Sequence, residues 1–518
     1  MMKRTFLLCV CALFLSFASS GFAAEQTTLL TALEIPKAEL GCFVPAKAEQ
    51  AFARQAKGVL SAAEIPLEEV IPLPYVGLAI LRTSASPEEA LEALRGTPGV
   101  THADLPGKNR LFATPRPRGY IPTEPRYNEQ WYLPSIGCPT AWDTTKGNSS
   151  MVAAVLDTGV DYTHGDLAAS MWNNPGEIRN NGIDDDGNGI VDDYFGIAAF
   201  ANGANLTGDP AEVLPDGGHG THVAGSIAAP INNVGILGVA PNIKIMGLRV
   251  FTRDPAGGSS SAWDTDIARG IDYILSMKNR GVDIRALNLS LGTCPGAMPS
   301  ETMQQAYRTI SNAGILIFFA AGNDSNNNDV NRVYPANYNI PLKITVGATD
   351  TDGTSRADWG GTSNCGYPSG SNYGATTVDI FAPGTSILST VPTFVDPRGY
   401  DSWNGTSMAT PVALGATLLA WSANPGLSGA QARNILLNNG TPSAALAGLC
   451  VTGSVVNAAD AVHAATAQPT PTTTPVPTPT ATPGPSSGGG GGGCSLGFQT
   501  LGGFLLLLPL ILLGKTFR

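Results

Sequence analysis

Five apolar runs of strand length, 151–156, 243–250, 286–291, 315–320 and 344–346, constrain this chain most, because they recur between the helix-length segments 262–280 and 408–423. Runs that are apolar at consecutive positions, not at alternate ones, suit strands covered on both faces. Strands of that kind separated by helices predict an α/β fold, a mostly parallel sheet with helices on both faces. In such sheets reactive groups collect at the carboxyl ends of the strands, and Asp157 directly follows the first run.

Asp157 is also the first of three widely separated residues that together make a serine reactive. They lie in Leu156-Asp157-Thr158-Gly159, in Gly218-His219-Gly220-Thr221-His222-Val223-Ala224-Gly225, and in Gly405-Thr406-Ser407-Met408-Ala409-Thr410-Pro411. A serine hydroxyl barely ionises at neutral pH. It needs an imidazole to take its proton and a carboxylate to fix the imidazole tautomer and stabilise its cation. His219 lies between glycines at the start of an apolar helical run, so its ring can reach a neighbouring strand end without bulky flanks; His222 reads as packed support. Pro411 is tolerated in a helix's first turn, which places Ser407 near the amino end of its helix, where free amides favour developing negative charge. Thr406 is the candidate cap.

These segments resemble the subtilisin-like serine protease (subtilase) family, whose members carry the same residues in the order Asp, His, Ser. The resemblance covers roughly 127–466. It implies Asp157, His219 and Ser407 as the catalytic triad and Asn323, in Ala320-Ala321-Gly322-Asn323, as a side-chain donor to the oxyanion. It further implies that Ser290-Leu291-Gly292 and Ala320-Ala321-Gly322 flank an extended substrate peptide, with Tyr334-Pro335-Ala336 near the pocket for the residue before the cut. Small residues there predict an apolar or uncharged residue at that position.

The flanks suggest a processed, exported precursor. Residues 1–23 combine Lys3 and Arg4, an apolar run over 6–17 and the small residues Gly21-Phe22-Ala23, the pattern of a signal peptide. Residues 24–126, with a strand over 76–81, a helix over 87–95 and a strand near Val100, resemble the small α+β propeptide that templates folding and inhibits subtilases. The cut is expected between Leu105 and Tyr127. Beyond a catalytic domain of 127–466, residues 467–493 turn Pro/Thr-rich and then Gly-rich, a spacer. Residues 494–518, with an apolar stretch ending in Lys515 and Arg518, read as a sorting signal or membrane anchor that leaves the enzyme at the cell surface.

A net charge of −11, from 30 Lys and Arg against 41 Asp and Glu, argues against a nucleic-acid partner. Outside the leader, the 24–126 segment and the tail, the catalytic region keeps Cys138, Cys294, Cys365 and Cys450. Two disulfides in any of three pairings, or buried thiols, fit an exported protein. Calcium is expected at Asp184-Asp185-Asp186-Gly187-Asn188-Gly189-Ile190-Val191-Asp192-Asp193, through Asp184, Asp186, Asn188 and Asp192 or Asp193. Phe195 stands where an EF-hand loop has glutamate. The function expected is an exported serine endopeptidase acting on polypeptides and held inactive by its own propeptide. The competing reading is a non-catalytic module that retains only the peptide groove; such modules usually lose a triad member, and here all three are present.

Overall fold

The computed structural model describes residues 27–35, 67–73, 78–95, 97, 100–104, 108–111, 126–199, 206–212, 214, 217–252, 261–468, 506–507 and 510–512. Strands β1 (Thr27–Ile35), β2 (Leu67–Leu73), β3 (Leu78–Thr83) and β4 (Val100–Asp104) form an N-terminal antiparallel sheet. Its helix Pro87–Arg95 starts from a reciprocal pair in which the Glu89 amide donates to Ser86 Oγ and the Ser86 amide to Glu89 Oε2. The next strand, β5 (Lys108–Leu111), leaves that sheet for the main body.

The main body continues through β6 (Val152–Asp157), β7 (Gly196–Ala198), β8 (Lys244–Arg249), β9 (Phe251–Thr252), β10 (Ser261–Trp263), β11 (Ile284–Leu289), β12 (Leu291–Gly292), β13 (Leu316–Ala320) and β14 (Lys343–Thr349). The hairpins β15 (Asp358–Thr362) with β16 (Pro368–Gly370), and β18 (Ile387–Thr390) with β19 (Tyr400–Trp403), flank β17 (Ile380–Pro383); β20 (Thr441–Pro442) and β21 (Ser454–Val455) follow. Nine of these strands form one sheet in the order β20-β21-β17-β14-β13-β11-β6-β8-β7, parallel throughout except for the β20–β21 edge.

Alternate residues of the same strands feed two separate cores, which is why the sequence runs are apolar at every position. Ala153, Val155, Leu316 and Phe318 face the helices His219–Ala228 and Thr406–Ala423; Val152, Ala154, Leu156, Ile317 and Phe319 face the helices Asp264–Asn279 and Glu301–Asn312. The expected α/β architecture with helices on both faces is therefore present. The helix read over 262–280 begins at Asp264, because Ala262 and Trp263 are taken up by β10.

Among the described residues one disulfide forms, Cys294–Cys365, and Cys138 and Cys450 are buried thiols. The signal-peptide segment, 1–23, and all but the first two residues of the 467–493 spacer lie outside the described residues. Of 494–518, two short strands are described, β22 (Leu506–Leu507) and β23 (Leu510–Leu512), paired with β1 and β3. Among the described residues no helix is long and apolar enough to cross a membrane.

Candidate active site

Strand β6 ends at Asp157, and the helix His219–Ala228 begins at the carboxyl edge of the same sheet. The two meet because glycines permit it. Gly218 caps the helix with φ of +92°, and a Cβ on Gly220 would lie 2.1 Å from Gly159 O and 3.0 Å from Asp157 Cβ. Asp157 Oδ1 accepts from the Thr158 amide and faces His219 Nδ1, both at 2.7 Å. Both side chains are buried, and among the described residues His219 Nε2, the far ring nitrogen, has no hydrogen-bond partner.

Ser407 is the second residue of the helix Thr406–Ala423. Its Oγ donates to Ser290 O at 3.2 Å, while Ser290 Oγ donates to Ser407 O at 2.9 Å. Ser290 follows β11, whose Asn288 pairs with Val155 of β6, so Ser290 lies level with Asp157 on the adjacent strand end. All three candidate residues thus sit at one edge of the sheet. The serine hydroxyl is turned to Ser290, and the imidazole to Asp157.

Pro411 explains the Ser290 contact. The expectation that it lies in the first turn is off by a residue or two, since it is the sixth residue of the helix. Lacking an N–H, it cannot bond the carbonyl four residues back, which is that of Ser407. The Ser290 hydroxyl takes that carbonyl instead, and itself accepts from Asn288 Nδ2 at 2.9 Å.

Thr406 does not cap the helix, the N-cap being Gly405. Its amide and its hydroxyl both donate to Asn323 Oδ1 at 2.9 Å, and its Oγ1 accepts from the Gly322 amide at 3.1 Å. With its oxygen held from two sides, Asn323 is left with its Nδ2 donors for any other partner. Ala320, Ala321 and Gly322 serve this arrangement: Ala321 N bonds Val346 O, and Gly322 N bonds Thr406. They make no pairing with β5.

Ser290-Leu291-Gly292 behaves differently. Strand β5 lies antiparallel between β12 and β10, with Leu111 opposite Leu291, Arg110 opposite Gly292, Asn109 opposite Ala262 and Lys108 opposite Trp263. A stretch of N-terminal chain is thereby added as a middle strand, the mode of an extended peptide in a groove. The second wall, Ser261–Trp263, was missed from sequence; three residues after a Gly/Ser stretch carry no strand signal of their own. Tyr334 is tied to Thr293, the residue after β12, by its carbonyl accepting from the Thr293 amide at 2.7 Å and its amide donating to Thr293 Oγ1 at 3.0 Å.

His222 packs as expected. Its ring stacks on Trp403 with centroids 4.6 Å apart, its Nε2 meets Ile387 O, and burial, followed by the nearby His219, holds its pKa down to about 3, so it is neutral.

The acidic loop gathers a different ligand set from that read in the sequence. Glu177, Asp184 and Asp186 bring carboxylate oxygens within 4.8 Å of one another. Glu177, absent from the expected set, is buried; its Oε1 accepts from the Asp185 and Asp186 amides, and its Oε2 has no hydrogen-bond partner among the described residues. An orphaned buried carboxylate oxygen beside two further carboxylates fits a hard dication. Asn188 lies alongside with its Nδ2 on Asp186 and Asp193. Asp193 turns to Asn174, Asn188 and Tyr273, and Asp192 to the amides of Asn181 and Gly182, so neither joins the cluster.

Comparison with known proteins agrees with this geometry. The Subtilase family profile matches residues 148–462. The chain is 32% identical over 393 residues to an alkaline protease of Alkalihalobacillus alcalophilus, covering 76% of this chain and 82% of that one. It is 36% identical over 311 residues to subtilisin BL of Lederbergia lenta, covering 60% and 91%. Among solved structures, fervidolysin of Fervidobacterium pennivorans, a keratinolytic enzyme related to subtilisin, superposes with a TM-score of 0.61 at 25% identity; the match covers 86% of this chain and 62% of fervidolysin. The chain belongs to the subtilase family and is a subtilisin-like serine protease.

Proposed function

We propose that the chain is exported as a precursor and hydrolyses polypeptides through an acyl-enzyme on Ser407, with Asp157 and His219 completing the triad. Ser407 Oγ rotates from Ser290 O to His219 Nε2, passes its proton to that nitrogen and bonds to the scissile carbonyl carbon. Asp157 holds the Nδ1–H tautomer and balances the imidazolium. Asn323 Nδ2 and the Ser407 amide receive the oxyanion, aided by the helix amino end. The C–N bond then breaks, the amine leaves with the proton from His219, and water repeats the sequence to release the acid and restore Ser407.

The observation that carries this reading is the β5 strand in the groove, which runs antiparallel along β12 toward Ser290, the residue bonded to Ser407. The same strand supports the N-terminal segment as an inhibitor, since it fills the place of a substrate. Export rests on the leader composition and on relatives such as the extracellular protease of Xanthomonas campestris, 35% identical over 401 residues. Surface retention through 494–518 rests on composition alone; fractionating cells that express the full chain or a chain ending at 467 tests it.

Calcium is the ion proposed for Glu177, Asp184 and Asp186, as a structural tie for the 174–193 loop with no part in the chemistry. Substrates with an apolar or uncharged residue before the cut are expected, and a peptide library cut chiefly after Lys or Arg contradicts that. Casein hydrolysis by the purified mature domain tests the whole: Ser407→Ala abolishes it, and undiminished hydrolysis ends the proposal.

A further inference from the structure

Glu212 is 5% exposed and lies in the loop before His219, outside the triad and its oxyanion donors. Thr158 Oγ1 donates to Glu212 Oε2 at 2.5 Å and accepts from the Gly220 amide at 2.9 Å. Thr158 is the neighbour of Asp157, and Gly220 is the neighbour of His219. The hydroxyl therefore ties the strand end that carries the acid to the helix start that carries the imidazole, one residue along from the Asp157–His219 bond itself. A hydroxyl rotor has a choice of directions, and a buried carboxyl that accepts its proton leaves its lone pairs for Gly220. The loop around Glu212 is pinned to the same segment, since Pro210 O accepts from Val160 N, and a Cβ on Gly159 would lie 2.8 Å from both Pro210 O and Ala211 O.

We propose that Glu212 is a positioning residue for peptide hydrolysis: its carboxyl orients the Thr158 hydroxyl, which sets the separation of Asp157 and His219. This rests on Asp157 and His219 being the catalytic pair.

The charged and polar groups facing Glu212 add a pH signature. Burial pushes its pKa up to about 8; the Thr158 bond opposes this, Asp157 on β6 adds to it, and the Gly218 amide and Arg249 on β8 oppose it. Glu212 is then mainly protonated at pH 7. Its folded pKa stands above the unfolded value, so the stability it contributes is present below about pH 4.5 and is lost as pH rises through about 8.

The test uses the mature enzyme with a chromogenic peptide, comparing Glu212→Ala, Glu212→Gln and Thr158→Val with His219→Ala as the reference for the catalytic pair. A misplacement at the reacting pair lowers kcat by about tenfold or more in E212A and T158V, with KM within about twofold. E212Q, whose amide oxygen still accepts from Thr158, regains most of that loss at pH 7. In a Ser407→Ala background, which cannot digest itself, the Tm of the Glu212 protein falls relative to E212Q between pH 5 and 9. If H219A is as active as wild type, the catalytic pair is wrong; if H219A is inactive while E212A and T158V keep full kcat, or if the Tm gap is constant with pH, the Glu212 proposal is overturned.

Discussion

Removing the Ser290 hydroxyl exposes the coupling between Ser290 and Pro411. Ser290, Ser407 and Asn288 are all fully buried. In Ser290→Ala the Ser407 carbonyl loses its donor, since Pro411 offers no N–H, and Asn288 Nδ2 loses its acceptor at the same time. An unsatisfied buried polar group costs about 1–3 kcal/mol, so the two together destabilise by roughly 2–6 kcal/mol. Pro411→Ala restores an amide four residues after Ser407, and the helix can then satisfy that carbonyl without Ser290. The double variant is therefore less destabilised than the sum of the singles, with a coupling of about 1 kcal/mol or more. Urea unfolding of all four proteins in the Ser407→Ala background measures this cycle, because the substitution stops self-digestion and leaves the carbonyl of residue 407 in place. Additivity within about 0.5 kcal/mol refutes the assignment of Ser290 as the replacement for the missing helical bond.

Thr406→Val removes one of the two donors that hold Asn323 Oδ1, and kcat is expected to fall by about tenfold with KM little changed; an equal rise in KM would point to a binding role instead. Calcium at a hundredfold over its Kd stabilises by about 2.7 kcal/mol, so a chelator lowers the Tm of the wild type and has little effect on Glu177→Gln; a wild-type Tm indifferent to chelator rules the site out. Leu111 of β5 lies opposite Leu291, next to Ser290, so N-terminal sequencing of the mature enzyme is expected to give a start beyond Leu111, and a start upstream of Lys108 contradicts the register.

The central strands were legible because each is covered on both faces, which makes a continuous apolar run such as 152–156 both necessary and visible. The paired glycines around His219 were legible for a related reason: close approach of two backbones demands them. Elements defined by their partners were not. Strands β10 and β12 are three and two residues long and exist through their partners, β12 through β5 and β10 through β5 and β9, so no local pattern announces them. Glu177 and Glu212 are single acids in loops, and only the fold brings one to the Asp184–Asp186 cluster and the other to Thr158. Pro411 lies a residue or two deeper in the helix than expected because a proline there is tolerable when an outside donor takes the freed carbonyl, and that donor, Ser290, lies 117 residues before Ser407. Four cysteines allowed several pairings, and one pairing formed where Cys294, just past β12, meets Cys365.

Covalent labelling decides whether Ser407 is the nucleophile. A fluorophosphonate probe reacts with a serine whose proton an adjacent base removes, and mass spectrometry of the digested adduct locates it. One adduct is expected, on Ser407, lost in His219→Ala and sharply slowed in Asp157→Asn. Labelling at another serine, or labelling of Ser407 that survives the loss of His219, contradicts it.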